Sequence, residues 1–288
     1  FSNSLLVGTS STGTLSSADG NTGVGIGVFG ALTTGDNNVA VGFNSLDLNT
    51  TGSSNTSIGK DSLKSNTTGA GNTSVGMGTL YSNTTASYNT AIGSLALDTN
   101  TTGASNTAVG YDALTANSSG AGNVAIGVNS LDANTTASNN TAVGLNSLTT
   151  NTTGADNTAV GRTSMEANTT GSNNVAVGLD SLALNTTGAS NVAVGYASLA
   201  ANTTGNNNSA LGKDALKLNT TASSNTAVGN SVLTTNTTGA SNTAVGAGAM
   251  FANTEGACNT AVGVDALAAN TTGICNISVG SLSLAANT

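Results

Sequence analysis

The sequence has no proline, no tryptophan and no histidine, and charged and aromatic residues make up only 6% and 3% of its 288 positions. Without histidine, no side chain has an ordinary pKa suited to proton transfer near neutrality, and no pair of carboxylates recurs, so the chain is read as a non-enzyme. Five basic residues against thirteen acidic ones, a net charge of −8, offer no cationic footprint for phosphates, so no nucleic-acid partner is expected. No apolar run approaches the roughly 18 residues of a membrane helix, and no charged segment precedes an apolar leader, so membrane insertion is not expected. The Gly-Gly-x-Gly-x-Asp pattern of calcium-binding β-rolls is missing, and Asp47, Asp98 and Asp132 are scattered, so neither a metal nor any other cofactor is expected. Such low charge also disfavours a disordered polyelectrolyte, and so few aromatic residues disfavour a conventional core.

What is present is periodic. From Asn21 an asparagine recurs every 17 residues, at Asn38, Asn55, Asn72 and onward to Asn276, giving sixteen units of which the last is incomplete. One unit, Asn106 to Gly122, reads NTAVGYDALTANSSGAG. Counting each unit from its asparagine, position 3 is always small and position 4 always aliphatic, while position 5 is always glycine, from Gly25 to Gly280. Position 9 is leucine in thirteen units, otherwise Met165, Met250 or Phe29, and position 12 is asparagine in fifteen. Seventeen of the eighteen charged residues fall at positions 6, 7, 10, 16 and 17, which must therefore face solvent. Residues 1–20 read as a worn N-terminal coil or cap, with SLLVG at Ser4 to Gly8 still in register. Residues 21–288 form the repeat proper. The chain starts at Phe1 and stops within a unit, so it is expected to be a segment of a longer protein.

A strict period of 17 is too short for helical-hairpin repeats and carries no heptad, and its β-branched Thr and Val favour strand. The expected fold is all-β: a parallel β-solenoid with two short strands per coil, at positions 1 to 4 and 8 to 13, and coils stacked about 4.8 Å apart. Strand alternation puts positions 2 and 4 on one face and position 3 on the other. The aliphatic residue at position 4 is expected to meet the leucine of position 9 inside, leaving the small residue of position 3 outside. One Val and one Leu per coil make a thin core, and an outward stripe of small residues suits close packing between chains, so a homotrimer is expected.

The unit NTAVG-x-x-AL-x-x-NTTG-x-x resembles repeats of trimeric phage tail-fibre proteins and fibre-like bacterial surface proteins over Asn21 to Thr288. More loosely, Asn123-Val124-Ala125-Ile126-Gly127 is similar to the strand of trimeric autotransporter adhesin heads, whose left-handed β-rolls have a shorter period. The 17-residue coil departs from that pattern. The resemblance implies an extracellular fibre, on a virion tail or a bacterial surface, whose shaft spaces or presents a host- or surface-binding tip.

Four groups of residues are candidates for more than structure. Phe43, Tyr81, Tyr111, Tyr196 and Phe251, at variable surface positions, are candidate contacts for host surface glycans, which would make the solenoid a glycan-binding module. Cys258 and Cys275 occupy position 17 of adjacent coils, close enough for a disulfide if the coils stack. Asn-x-Thr sequons such as Asn49, Asn66, Asn83 and Asn100 recur at a spacing too tight for bulky glycans, and are read as a stacked ladder. The Thr rows raise ice binding as an alternative, although positions 13 and 14 point to opposite faces.

Overall fold

The computed structural model describes residues 4–8 and 17–287. Residues 1–3, 9–16 and 288, which include much of the expected cap, lie outside the described residues. The fold is an all-β parallel β-solenoid with about 17 residues per turn, and no helix occurs among the described residues. Two compact units divide the chain, Phe1–Asn140 and Thr141–Thr288. The first holds β1 (Leu5–Val7), β2 (Thr22–Val24), β3 (Val39–Val41), β4 (Thr56–Ile58), β5 (Thr73–Val75), β6 (Thr90–Ile92), β7 (Thr107–Val109) and β8 (Val124–Ile126). The second holds β9 (Thr141–Val143), β10 (Thr158–Val160), β11 (Val175–Val177), β12 (Val192–Val194), β13 (Ser209–Leu211), β14 (Thr226–Val228), β15 (Thr243–Val245), β16 (Thr260–Val262) and β17 (Ile277–Val279). Within each unit every strand pairs in parallel with the equivalent residues one coil on, as in Thr73↔Thr90, Ser74↔Ala91 and Val75↔Ile92. The SLLVG segment keeps this register, with Leu5↔Thr22 and Val7↔Val24.

Each coil carries one strand, not two. Positions 7 and 9 both lie in the left-handed region, at φ 54° for Asp61 and 51° for Leu63, and an extended run cannot pass through them. Inter-coil hydrogen bonding nevertheless continues around the whole lap. In the coil from Asn55 to Gly71, the N–H groups of Thr56, Leu63, Ser65 and Thr67 donate to the next coil, at Asn72 O, Thr79 O, Tyr81 O and Thr84 O. Those of Gly59, Asp61 and Gly71 donate to the previous coil, at Val41 O, Phe43 O and Ser53 O. Holding a leucine at positive φ costs roughly 1–2 kcal/mol. Burying it completely, as Leu63 and its equivalents from Leu46 to Leu267 are, returns roughly 1.5–3 kcal/mol.

The strand faces are the reverse of the sequence expectation. Position 3 is buried in every coil from Gly23 to Ser278, and no residue at position 2 or 4 is buried. Asparagine decides the parity. The position-1 side chains from Asn21 to Asn259 are buried, and alternation then turns position 3 inward as well. Asn38 Nδ2 donates to Asn21 Oδ1 at 3.0 Å and to Gly52 O at 2.9 Å, while the Asn38 N–H donates to Asn21 Oδ1 at 2.9 Å. A second buried ladder runs through position 12, where Asn66 Nδ2 donates to Asn49 Oδ1 at 2.7 Å and to Gly69 O at 2.9 Å. Turning position 4 inward would carry the position-1 amides to the surface and break these bonds.

The interior is therefore thin: position 3 (Ala, Ser or Gly), position 8 (mostly Ser or Ala) and the position-9 leucine, flanked by the two ladders. Hydroxyls that enter it are bonded, as where Ser45 Oγ donates to Ser57 O at 3.0 Å. The first full coil exchanges volume between positions. Leu6 stands where other coils have a small residue, and a Cβ on Gly23 would collide with Leu6, Val28 and Phe29. At position 5 glycine is required on two counts. Gly110 has φ 141°, and a Cβ there would lie 2.5 Å from Gly127 O.

Replacing Ala108 tests the corrected parity. Ala108→Ser, which reproduces Ser57 and Ser74, is expected to be tolerated, whereas Ala108→Leu should cost about 1–3 kcal/mol through overpacking. Chemical denaturation followed by circular dichroism measures both, and an Ala108→Leu variant as stable as the parent would put position 3 back on the surface.

Candidate functional site

Because positions 1 and 3 turn inward, positions 2 and 4 form two parallel outward rows on the strand face of each unit. Position 2 is threonine in ten coils and valine in four, and position 4 is Val, Ile or Leu throughout, with no charged residue at either. Ile58 is 40% exposed and Leu211 50%. Beside these rows position 6 adds exposed Ile26, Phe43, Met77, Tyr111 and Val128 in the first unit, and Leu145, Tyr196 and Val264 in the second. Isolated exposed apolar residues are ordinary, whereas position 4 presents an uninterrupted apolar row beside a row made mostly of threonine. The reading that put position 4 inside passed over these rows. The sequence signal that could have found them is the invariant asparagine two residues before position 3.

The five candidate aromatic residues are all exposed and fall in two columns. Phe43, Tyr111 and Tyr196 stand at position 6, and Tyr81 and Phe251 at position 10. Phe43 and Tyr111 are four coils apart, so they do not share a ligand-sized site. Tyr81 has charged company: Lys64 Nζ lies 5.5 Å from its ring centroid, a cation–π contact.

Lys64 also approaches Asp61 Oδ1 at 3.5 Å, and Lys60 pairs with Asp61 Oδ2. The second unit repeats this triad, with Lys213 and Lys217 at 2.9 and 3.0 Å from Asp214. Burial works to raise the pKa of Asp61, but hydrogen bonds from Lys60 and Asn44 and the charges of Lys64 and Lys60 outweigh it, and the net shift is downward. Asp214 is likewise lowered, its burial outweighed by hydrogen bonds from and the charges of Lys213 and Lys217. Asp98 and Asp132 go the other way, raised by burial first and by the charge of Asp112 second. Asp47 is raised by burial, against the opposing charge of Lys64. Among the described residues no group of three or more His, Cys, Asp or Glu side chains is arranged to hold a metal ion, and no helix is long and apolar enough to cross a membrane.

The sequon asparagines are the position-12 ladder itself. Asn49, Asn66, Asn83 and Asn100 are fully buried, with Asn83 Nδ2 donating to Asn66 Oδ1 at 2.8 Å and Asn100 Nδ2 to Asn83 Oδ1 at 3.0 Å. Their amide nitrogens are thus inaccessible to a modifying enzyme in the folded chain. Cys258 and Cys275 are exposed, free thiols. Their backbones hold equivalent places, Cys258 N–H donating to Ala240 O and Cys275 N–H to Ala257 O, each at 3.0 Å.

Two measurements follow from this chemistry. A carboxylate whose folded pKa is raised above 3.8 adds stability below that value and loses it as the pH rises through the folded value. Asp98→Asn should therefore raise the unfolding temperature at about pH 7 and leave it nearly unchanged at about pH 3. A variant equally stabilised at both pH values would contradict the burial assignment. For the cysteines, intact mass after alkylation without reductant should show both thiols modified, whereas modification only after reduction would reveal a bridge.

Compared with known protein families, curated proteins and solved structures, the chain matches none.

Proposed function

We propose that the chain is a structural or adhesive shaft segment of an extracellular fibre, on a phage tail or a bacterial surface, in which three copies associate and space or present a surface-binding tip. The observation that carries this reading is the pair of charge-free Thr/Val and Val/Ile rows at positions 2 and 4 of each unit. Rows of this kind, repeated coil after coil, suit burial against the same rows of identical chains, since a self-complementary repeat meets itself at every step. The interface expected at position 3 moves, in this proposal, to positions 2 and 4. A structural rather than catalytic role accords with the lack of histidine and with a surface whose variable positions follow the solenoid period.

The same rows favour one second reading. Regularly spaced Thr hydroxyls beside Val methyl groups on the strand face form an array suited to ordering water, whereas the position-13 hydroxyls are already engaged, as where Thr50 Oγ1 donates to Thr67 O at 2.9 Å. Ice binding would need the strand face bare.

Light scattering coupled to size exclusion separates the two. The expected mass is three times the 27.5 kDa of the chain. Val109→Lys combined with Val194→Lys should reduce it to that of one chain with the β-sheet dichroism retained, while Ser105→Lys at position 17 should leave the trimer intact. A parent chain that is monomeric at micromolar concentration would overturn the trimer, and thermal hysteresis in that monomer would establish the ice-binding reading instead.

A further inference from the structure

The repeat is interrupted in one place by a cluster that no single coil contains. Position 7 is glycine at Gly27, Gly78 and Gly248, each with a left-handed φ between 66° and 74°. At Gly27 and Gly248 the space left by the missing side chain is taken by a polar group of the next coil, the side-chain oxygens of Asn44 and Asp265. Above Gly78 the next coil has Leu95 instead. The result is a hollow lined by Leu95, Met77, Gly78 and Tyr81, with Lys60, Asp61 and Asp98 around it.

The charged groups of this hollow are of both signs. Lys60 and Lys64 both pair with Asp61, and Lys64 also sits over the Tyr81 ring. Asp98 is half-buried and forms no ion pair among the described residues. Asp61 is neutralised by its two lysines and Asp98 is left with a second carboxylate, Asp112, as neighbour, so no excess of positive charge selects an anion, while the polar groups offer donors and acceptors to hydroxyl groups. Apolar side chains and an aromatic ring beside a few polar groups are the usual composition of a small-molecule site. A pyranose ring has both properties required of the ligand, C–H faces for the tyrosine and leucine and a rim of hydroxyls for Asp98 and Lys60.

We infer that the hollow at Gly78 is a binding site for one neutral saccharide unit. The second unit supplies an internal control. Lys213, Asp214 and Lys217 reproduce the triad, but Ser231 stands in place of Gly78, Thr234 in place of Tyr81 and Phe251 in place of Asp98. Among the described residues the site therefore occurs once.

Saturation-transfer NMR on the intact chain, with methyl glycosides of neutral hexoses and of N-acetylhexosamines as probes, tests the inference. At least one glycoside should bind with a dissociation constant in the millimolar range and a stoichiometry of one per chain. Gly78→Asn installs the residue found at Asn129 and Asn146, fills the hollow and should weaken binding at least fivefold with the unfolding temperature unchanged. Tyr81→Ala should weaken it by a similar factor; if that variant loosens its coil, Gly78→Asn alone decides. Ethanolamine and acetate serve as the charged probes and should bind at least tenfold more weakly. Saccharide binding that survives Gly78→Asn, no binding by any glycoside, or preferential binding of either ion would overturn the assignment.

Discussion

The structure depends on one acceptor per coil, the carbonyl of position 15. Two buried amides converge on it: Asn38 Nδ2 and Asn49 Nδ2 both donate to Gly52 O at 2.9 Å, and in the second unit Asn174 Nδ2 and Asn185 Nδ2 both donate to Gly188 O at the same distance. Asn38, Asn174 and Asn185 also span to the coil before them through Nδ2 or the backbone N–H. Every lap is thereby tied to itself and to a neighbour by the same side chains. The net contribution of such a bond is only about 0.5–1.5 kcal/mol, but a buried polar group left unpaired costs about 1–3 kcal/mol. The ladders therefore act chiefly by penalising alternatives. A slip of one residue would turn every position-1 amide outward and strand its partners.

This constraint explains how so small a hydrophobic interior suffices. The position-9 leucine is the one large apolar side chain in most coils, held at positive φ and completely enclosed, and small residues at positions 3 and 8 close the remaining space. Much of the order is carried by main-chain bonds that continue past the short strand into the turns. Those bonds involve no side chain, which frees positions 6, 7, 10, 16 and 17 to vary. The surface can then acquire chemistry by single substitutions while the lap stays intact. Lys60, Gly78, Tyr81 and Asp98 are four such substitutions, spread over three coils and brought to one place by stacking.

The outward rows at positions 2 and 4 follow from the same parity. With Asn and Ala turned in, the β-branched residues that favour the strand conformation are left facing out. They leave each unit with a strand face of Thr beside Val and Ile that carries no charge. A thin interior and an uncharged strand face are thus two results of one choice of inward residue.

Much of this was legible in the sequence: the parallel solenoid, the 17-residue lap, the enclosed leucine, the asparagine ladder at position 12, the obligatory glycine at position 5 and the surface location of the charges. Each shows directly as a position that never varies or varies freely. The side-chain parity of the strand was misread because Val outranks Ala in hydrophobicity, while the amide ladder that overrules this ranking exists only once coils are stacked. The second strand was misread because left-handed φ at Asp61 and Leu63 is a property of the folded lap, not of residue type. Likewise nothing in linear order joins Gly78 to Asp61 or Asp98, which meet because coil stacking converts a separation of 17 or 20 residues into contact. The sequence by itself determined the period and which side chains must be equivalent; the tertiary structure alone decided which way they point and which neighbours they meet, because both depend on hydrogen bonds between residues a full lap apart.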